Sequence, residues 1–474
     1  MVVVGAGLSG IGAACHLQRE CPEESVLVLE ERDRLGGTWD LFRYPGVRSD
    51  SSMFTYAYDF APWTAPTAIA EGADILAYLE ETARAYGVDG RVRLGHRVTR
   101  AMWSTDEERW QVTVAHDGTE SDVVCRFLWV CTGYYRYDRG HVPELAGRET
   151  FRGRLVHPQA WPPDLDVDGR DVVVVGSGAT AVTLVPALVD RGARVVMLQR
   201  SPSYVGSVAR LDRRRFARFW SVLTQTGLYA LSRHFPGPLR SWLLSDVTRR
   251  LPAGYDVATH FTPAYDPWDQ RLCVSPEGDL FTAIASGHAE VVTGEIDRLT
   301  DAGVRMRSGR ELPADVVVTA TGLELLGLGG LELVVDGRAV DLADRLAYRG
   351  VMLSGVPNAA LTLGYSAASW TLRADVVARY VTGLLRTMRR RGLASVTPAP
   401  PTQPQHRRPL LALRAGYVLR AADRLPSQGS RHPWVLGQNP VRERLGFALR
   451  RRTAGLRLVR ARPRPVPAAA DGTP

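Results

Sequence analysis

Glu30 and the pair Gln199-Arg200 occupy matching places in two similar stretches of this 474-residue chain, and they suit different chemistry. Glu30 closes the apolar run Val26-Leu-Val-Leu29, twenty residues after Gly10. A carboxylate there accepts both hydroxyls of an adenosine ribose. Gln199-Arg200-Ser201 closes Val195-Val-Met-Leu198. Where the first stretch has Glu30-Glu31, the second has lost the acid and gained a guanidinium, which suits a ribose bearing a 2′-phosphate. A surface Arg at a strand end is the alternative reading of Arg200, and the motif around it makes that the weaker one.

Upstream of each pair the sequence reads as a strand, a tight turn and a helix start. Met1-Val-Val-Val leads into Gly5-Ala-Gly7-Leu-Ser-Gly10, and Asp171-Val-Val-Val-Val leads into Gly176-Ser-Gly178-Ala-Thr-Ala181. The first glycine makes the turn, the second lets backbone approach a pyrophosphate, and the third small residue allows close strand–helix packing. With their downstream partners the two units read as an FAD site and an NADPH site. The first strand opens at the initiator Met, so a few missing upstream residues are expected, at some cost to that strand.

Between and beyond these units lie the parts that must position them. Gly36-Gly37-Thr38-Trp39 and Tyr44-Pro45-Gly46 fall within one loop ending at Asp50, a density that suggests backbone held close to a planar ligand. Asp50 has a second reading as the N-cap of a helix beginning at Ser51-Ser-Met-Phe. Short strands alternate from about 90 to 130, and two strands end in Thr-Gly, at Thr132-Gly133 and Thr321-Gly322, marking two crossings between domains. Phe151, Gly153, His157, Trp161 and Pro162 lie in a connector stiffened by Pro158, Pro162 and Pro163. On composition alone it is an ordinary linker with a packed Trp and a satisfied His. From Leu211 to Leu251 the pattern is helical, with Phe216, Phe219, Trp220 and Leu223 on one face. This insertion is expected over the active site, packed into the core, with a membrane surface as the less favoured alternative. Gly355 to Ser366 reads as an apolar strand ending at a helix start, with the helix running through Trp370 and Val376 to Arg391.

Composition bounds these readings. Hydrophobic content of 45% and charged content of 23% suit a globular protein of two or three domains. No apolar run approaches the ~20 residues needed to span a bilayer, and no signal peptide opens the chain, so a cytoplasmic enzyme is expected. The net charge is +9, every basic residue is Arg, and Arg442, Arg444, Arg450, Arg451 and Arg452 cluster near the C-terminus, read as a solvated basic region, with nucleic acid or an anionic membrane as the less favoured partners. The five cysteines form no C-x-x-C and no zinc-spaced cluster, so no metal is expected and a disulfide-using flavoprotein reductase is disfavoured.

Phe151 to Pro162 fits F-x-G-x-x-x-H-x-x-x-W-P, and Gly36 to Asp50 fits G-G-x-W-x-x-x-x-Y-P-G-x-x-x-D at every fixed position. With the two nucleotide turns, these make the chain resemble the type I Baeyer–Villiger monooxygenases, a branch of flavin-dependent monooxygenases. GGTWDLFRYPG, GSGATAVTLVPAL, LQRSPSY, YDPWDQRLC and LPSQGSR bring it closest to the mycobacterial subgroup that activates thioamide prodrugs such as ethionamide. The resemblance runs from residue 1 to about 440. It implies an α/β fold of two Rossmann-like domains: an FAD domain of residues 1–145 and 323–459, an NADPH domain of 146–322 carrying a helical insert at about 206–264, and a disordered tail, 460–474. It implies reduction of FAD by NADPH, reaction with O₂ to a C4a-peroxyflavin, and conversion of ketones to esters or lactones or transfer of oxygen to sulfur. Arg271 is then the catalytic residue that holds developing negative charge, Asp50 orients it, and His157 supports domain movement. Gln270 stands where related enzymes carry a Lys that helps bind NADPH, which leaves more of the phosphate recognition to Arg200 and Ser201. An N- or S-oxygenating monooxygenase and a non-catalytic nucleotide-binding protein are the alternatives; oligomeric state is not legible.

Overall fold

The computed structural model describes residues 1–211, 216–270, 272–411, 413, 415–449 and 451–462. Two five-stranded parallel sheets organise them. The first runs in the order Ala359–Leu361, Leu128–Val130, Val2–Val4, Leu27–Leu29, Val92–Arg93. The second runs Ala289–Thr293, Arg194–Gln199, Asp171–Val175, Val316–Thr319, Arg154–Val156. Their strands are unbroken valine-rich runs because both faces of a parallel sheet are covered; Val2 to Val4 and Val172 to Val174 are all buried. Helix Leu8–Glu20 follows the first strand of one sheet, and helix Ala179–Val189 follows Asp171–Val175 in the other.

A third sheet is antiparallel, built on Arg97–Ser104, Arg109–His116 and Thr119–Cys125. Its tightest turn places Asp117 and Gly118 both at positive φ, as a two-residue hairpin requires. Glu332–Val335 from late in the chain adds to it in parallel with Arg97–Ser104. Helix Trp370–Arg390 packs on Leu8–Glu20, and the Trp370 indole N–H donates to Ser9 Oγ at 2.8 Å.

Several expectations change here. The connector is more than a linker: Arg154–Val156 is the edge strand of the second sheet, in register with Val316–Val318. Gly153 makes that approach possible, since a Cβ there would lie 2.4 Å from the Asp315 carbonyl oxygen. Helix Met53–Tyr56 has Ser52 as its N-cap, so Asp50 is not its cap. The long C-terminal helix begins at Trp370 behind Ser369, four residues beyond the expected start at Ser366. The insert opens with a strand, Val205–Val208, paired to Cys273–Pro276, before helices Ala217–His234 and Pro236–Arg250. Core packing fails for its aromatic face: Phe216, Phe219, Trp220 and Leu223 are 69%, 62%, 43% and 52% exposed. Periodicity shows which residues share a face and leaves open which way that face points. Near the terminus, Leu456–Arg460 is a strand paired with Leu393–Pro398, so order extends to the first residue of the expected tail; residues 463–474 lie outside the described residues. Among the described residues no helix is long and apolar enough to cross a membrane.

Candidate active site

The first site grows from Gly5, which sits at φ +98° in the turn after Val2–Val4. Gly5 N–H donates to the Leu29 carbonyl at 2.7 Å, and Gly176 N–H donates to the Leu198 carbonyl at 2.8 Å. These two bonds superpose the two turns, making Glu30 equivalent to Gln199 and Glu31 equivalent to Arg200. A Cβ at Gly10 would fall 1.8 Å from the Gly5 oxygen, and one at Gly176 would fall 2.3 Å from the Ala320 oxygen, so both turns depend on bare backbone. At Gly178 an added Cβ would meet nothing within 4 Å. Ala181, third in the second motif, is fully buried against the sheet.

The helices that follow begin with Gly7 and Gly178 as N-caps, have no side-chain cap and carry no acidic residue in the first turn. Their first N–H groups are therefore available to a pyrophosphate. Glu30 is 5% exposed. It accepts from the Ala6 N–H at 2.5 Å and from the Arg32 N–H at 3.0 Å. Burial raises its pKa against the pull of those two donors. It lines a cavity of about 390 Å³ with Gly5, His96, Arg97 and Gly330. Through Cys131, Thr132, Tyr135 and Tyr137 this cavity runs into a second of about 250 Å³, walled by Gly36, Thr38, Trp39, Tyr44, Asp50 and Trp370. The pair forms an elongated crevice at the carboxyl ends of the first sheet, where open α/β sheets take a dinucleotide.

Ala179, Thr180 and Thr183 of the second nucleotide fold close the far wall of that second cavity. A ligand on the second turn would thus reach one held by the first. Tyr44, its pKa pushed up to about 12 by burial, hydrogen-bonds Thr180 across the junction. Trp39 donates its indole N–H to the Tyr56 hydroxyl at 2.8 Å, and Thr38 Oγ1 lies 3.2 Å from the Tyr137 hydroxyl. Gly37, at φ +56°, would put a Cβ 2.9 Å from the Gly7 Cα, which explains the paired glycines.

Asp50 lines this cavity and also a larger one of about 670 Å³, bounded by Leu211, Leu228, Trp242, Trp268, Leu272 and Ser369. Ser51 Oγ donates to Asp50 Oδ1 at 3.2 Å. Arg271 lies outside the described residues; its neighbours Trp268 and Leu272 line the same cavity as Asp50. Sequence reasoning missed Arg48. Its side chain is 6% exposed and pairs with Asp279 at 2.5 Å, and its other terminal nitrogen, Nη2, is buried without a partner on the cavity wall. Tyr134, Tyr135 and Tyr137 were also missed, although the aromatic run directly after Thr132-Gly133 was the available signal.

At the second turn, Gln199 is buried and its amide donates to the His260 carbonyl at 2.8 Å and to Thr293 Oγ1 at 3.0 Å. It is thereby turned into the fold, while Arg200 is exposed and enters no ion pair among the described residues. Ser201 accepts from Ser177 Oγ at its carbonyl, 3.0 Å away. Arg200→Ala should raise KM for NADPH by tenfold or more, since a charge-assisted hydrogen bond contributes about 1.5–3 kcal/mol. KM for NADH should barely move. Equal losses with both, measured by steady-state kinetics, would assign Arg200 a structural role.

His157 ties the connector to a crossing point. Its Nδ1 accepts the Gln159 N–H at 3.1 Å, and its Nε2 lies 3.2 Å from the Gly322 carbonyl, so Nε2 carries the proton. The Thr321 hydroxyl donates to the His141 carbonyl at 2.6 Å beside it. Burial lowers the His157 pKa, which keeps the ring neutral. That contribution to stability is present above the ordinary imidazole pKa and is lost as pH falls through it towards the folded value. His157→Ala should keep its flavin and lose up to about a hundredfold in turnover through misplacement of the two folds. Loss of the bound flavin's absorbance on purification would place His157 in the flavin site itself. Trp161 and Phe151 are half-buried, packing against the cores on the two sides of the second sheet.

Among the described residues no cluster of His, Cys, Asp or Glu could hold a metal ion, and all five cysteines are buried and outside any disulfide.

Two nucleotide folds sharing one crevice, with an apolar cavity opening from it, define a flavoprotein of the two-dinucleotide-domain class. A family described as NAD(P)-binding Rossmann-like domain matches residues 3–64. The chain is 50% identical over 460 residues to the FAD-containing monooxygenase EthA of Mycobacterium tuberculosis, covering 94% of each. It is 46% identical to the putative FAD-containing monooxygenase MymA of the same species, covering 92% of each, and 41% identical to the probable FAD-binding monooxygenase AlmA of an Acinetobacter species, covering 94% of this chain and 93% of that one. The chain belongs to the FAD-containing monooxygenases. Solved structures share its fold: an oxidized steroid monooxygenase bound to NADP (TM-score 0.74, 22% identity, 97% of this chain and 99% of that one) and cyclohexanone monooxygenase (TM-score 0.76, 19% identity, 96% and 98%).

Proposed function

We propose that this enzyme uses NADPH and O₂ to insert one oxygen atom into small apolar ketones, giving esters or lactones, and to transfer oxygen to sulfur in thioethers or thioamides. The carrying observation is Asp50, which borders both the crevice between the two nucleotide folds and the 670 Å³ apolar cavity. Redox chemistry and an apolar substrate therefore meet at one carboxylate.

Glu30 and the Gly5–Gly10 turn would hold FAD; Arg200, Ser201 and the Gly176–Ala181 turn would hold NADPH. FAD, when bound, supplies the hydride acceptor and the site of oxygen activation. The protein's own work is positioning and exclusion of water. Thr180 and Tyr44 bring the two folds together, and Trp39 and Trp370 wall the reacting region; Asp50 would orient Arg271 toward negative charge developing on oxygen. The balance is ketone + O₂ + NADPH + H⁺ → ester + NADP⁺ + H₂O. Turnover of a panel of ketones and thioethers under ¹⁸O₂ tests it: mass spectrometry should find a single ¹⁸O in each product. Sulfoxides without any ester would favour the purely S-oxygenating alternative, and NADPH oxidation yielding only peroxide with every substrate would overturn the reading.

A further inference from the structure

Helix Ala217–His234 turns an apolar face to solvent. At 100° per residue, Phe219, Trp220, Leu223, Gly227, Ala230 and Leu231 share one side, and all are exposed. The opposite side, carrying Ser221, Thr224, Gln225 and Leu228, lines the substrate cavity. A surface helix of a globular protein is normally arranged the other way round. Gln225 holds this orientation, donating to Thr55 Oγ1 at 3.1 Å, and Arg218 does so too, donating to the Phe54 and Ala57 carbonyls at 3.0 Å each.

The patch extends beyond one helix. Across a groove lined by Val222, Leu372 and Val376 lies helix Pro440–Leu449, which buries none of its side chains fully. Its Val441, Leu445 and Leu449, spaced by four, are 49%, 54% and 83% exposed. The charge around these apolar residues is basic. Arg379, Arg442 and Arg444 are exposed there. The groove's acids, Asp59 and Asp375, are occupied by Arg218, Arg379 and Arg444, three guanidinium groups on two carboxylates, and Glu443 is turned inward against Arg373. The cavity mouth adjoins this face: Val208, Leu211 and Trp242, at 37%, 48% and 52% exposure, line the 670 Å³ space and also meet solvent.

We propose that this face docks the enzyme on an anionic lipid surface, with helix Ala217–His234 lying in the interface, so that apolar substrates enter the cavity from the lipid. Exposed aromatics beside arginines are what such an interface binds: the rings bury among the headgroups, and the guanidinium groups meet lipid phosphates. Water would leave an apolar patch of this extent uncompensated. The substrate route rests on the oxygenase reading above; the docking itself does not.

Flotation of the FAD-loaded enzyme with vesicles of phosphatidylcholine, with and without phosphatidylglycerol, tests it. Binding should require phosphatidylglycerol and weaken with salt. The double variant Phe219→Ser, Leu223→Ser should bind at least about tenfold more weakly. It should keep its flavin and its turnover of a water-soluble ketone, because neither residue lines the cavity. Arg442→Glu with Arg444→Glu provides an independent loss of binding should the first variant misfold. Wild-type protein that stays with neither vesicle, or variants that float as well as wild type, would overturn the proposal. So would a concentration-dependent dimer that the Phe219/Leu223 variant abolishes while vesicles bind neither form, which would give the face to a second copy of the chain. Vesicle binding by an enzyme that oxidises no ketone or sulfide would leave docking standing and remove the oxygenase reading alone.

Discussion

Arg271→Ala should go on consuming NADPH while its oxygenated product gives way to hydrogen peroxide. Oxygen transfer to a carbonyl places negative charge on oxygen inside a water-poor cavity, where one oriented guanidinium stabilises charge far more than it would in bulk water. Hydride transfer depends mainly on stacking the nicotinamide against the flavin, a task that would fall to Tyr44, Thr180 and the second nucleotide turn rather than to Arg271. The two half-reactions should therefore separate in this variant. Ester or sulfoxide formed per NADPH should fall by about 10²- to 10³-fold, the loss seen when a preorganised oxyanion donor is removed. Asp50→Ala should uncouple in the same sense and more mildly, because Arg271 keeps its charge and loses its orientation. Product and peroxide measured together against NADPH consumed provide the check. A wild-type ratio of product to NADPH in Arg271→Ala would remove that residue from the chemistry.

The second large effect separates two glycines of the same motif type. Gly10→Ala places a methyl 1.8 Å from the Gly5 carbonyl oxygen, a clash with backbone that no side chain can relieve. The turn must open, at a cost above the ~1–3 kcal/mol of ordinary overpacking, and the protein should purify colourless with a lowered Tm. Gly178→Ala meets nothing within 4 Å in the protein, so Tm should stay within error of wild type. Its methyl would instead stand where backbone approaches the second pyrophosphate, and KM for NADPH should rise with the flavin retained. Thermal melts, flavin absorbance and NADPH titration distinguish the two outcomes. Equal destabilisation by both substitutions would contradict the packing described for Gly178.

How far the fold and the site were readable follows from the range of the interactions that make them. The two nucleotide turns and Glu30 were legible because their geometry is local: a positive φ at Gly5, a missing Cβ at Gly10, and a carboxylate at the end of the next strand. The equivalence of Gln199-Arg200 with Glu30-Glu31 was legible for the same reason, although the hydrogen bonds that turn Gln199 inward come from His260 and Thr293, distant in sequence. Tyr44 meeting Thr180 depends on how two separately folded units dock, and His157 meeting Gly322 on the pairing of two strands far apart in sequence, neither of which a local pattern encodes. The insert shows the limit most plainly. Its apolar stripe was visible, but which way it faced depended on the polar residues Gln225 and Arg218 anchoring the opposite side.

The order of strands in the first sheet carries a consequence for biosynthesis. Its edge strand, Ala359–Leu361, lies beyond every strand of the second sheet, which runs from Arg154 to Thr319. A ribosome therefore releases the whole inserted sheet before it releases the last strand of the outer one. The inserted unit is free to mature first, since domains tend to fold as they emerge. Meanwhile Leu128–Val130 waits with one side unpaired, an apolar edge open to mispairing until Ala359–Leu361 arrives. Capture of the flavin is then a late event in the life of the nascent chain, and the outer unit depends on its own C-terminal half, rather than on its neighbour, to close.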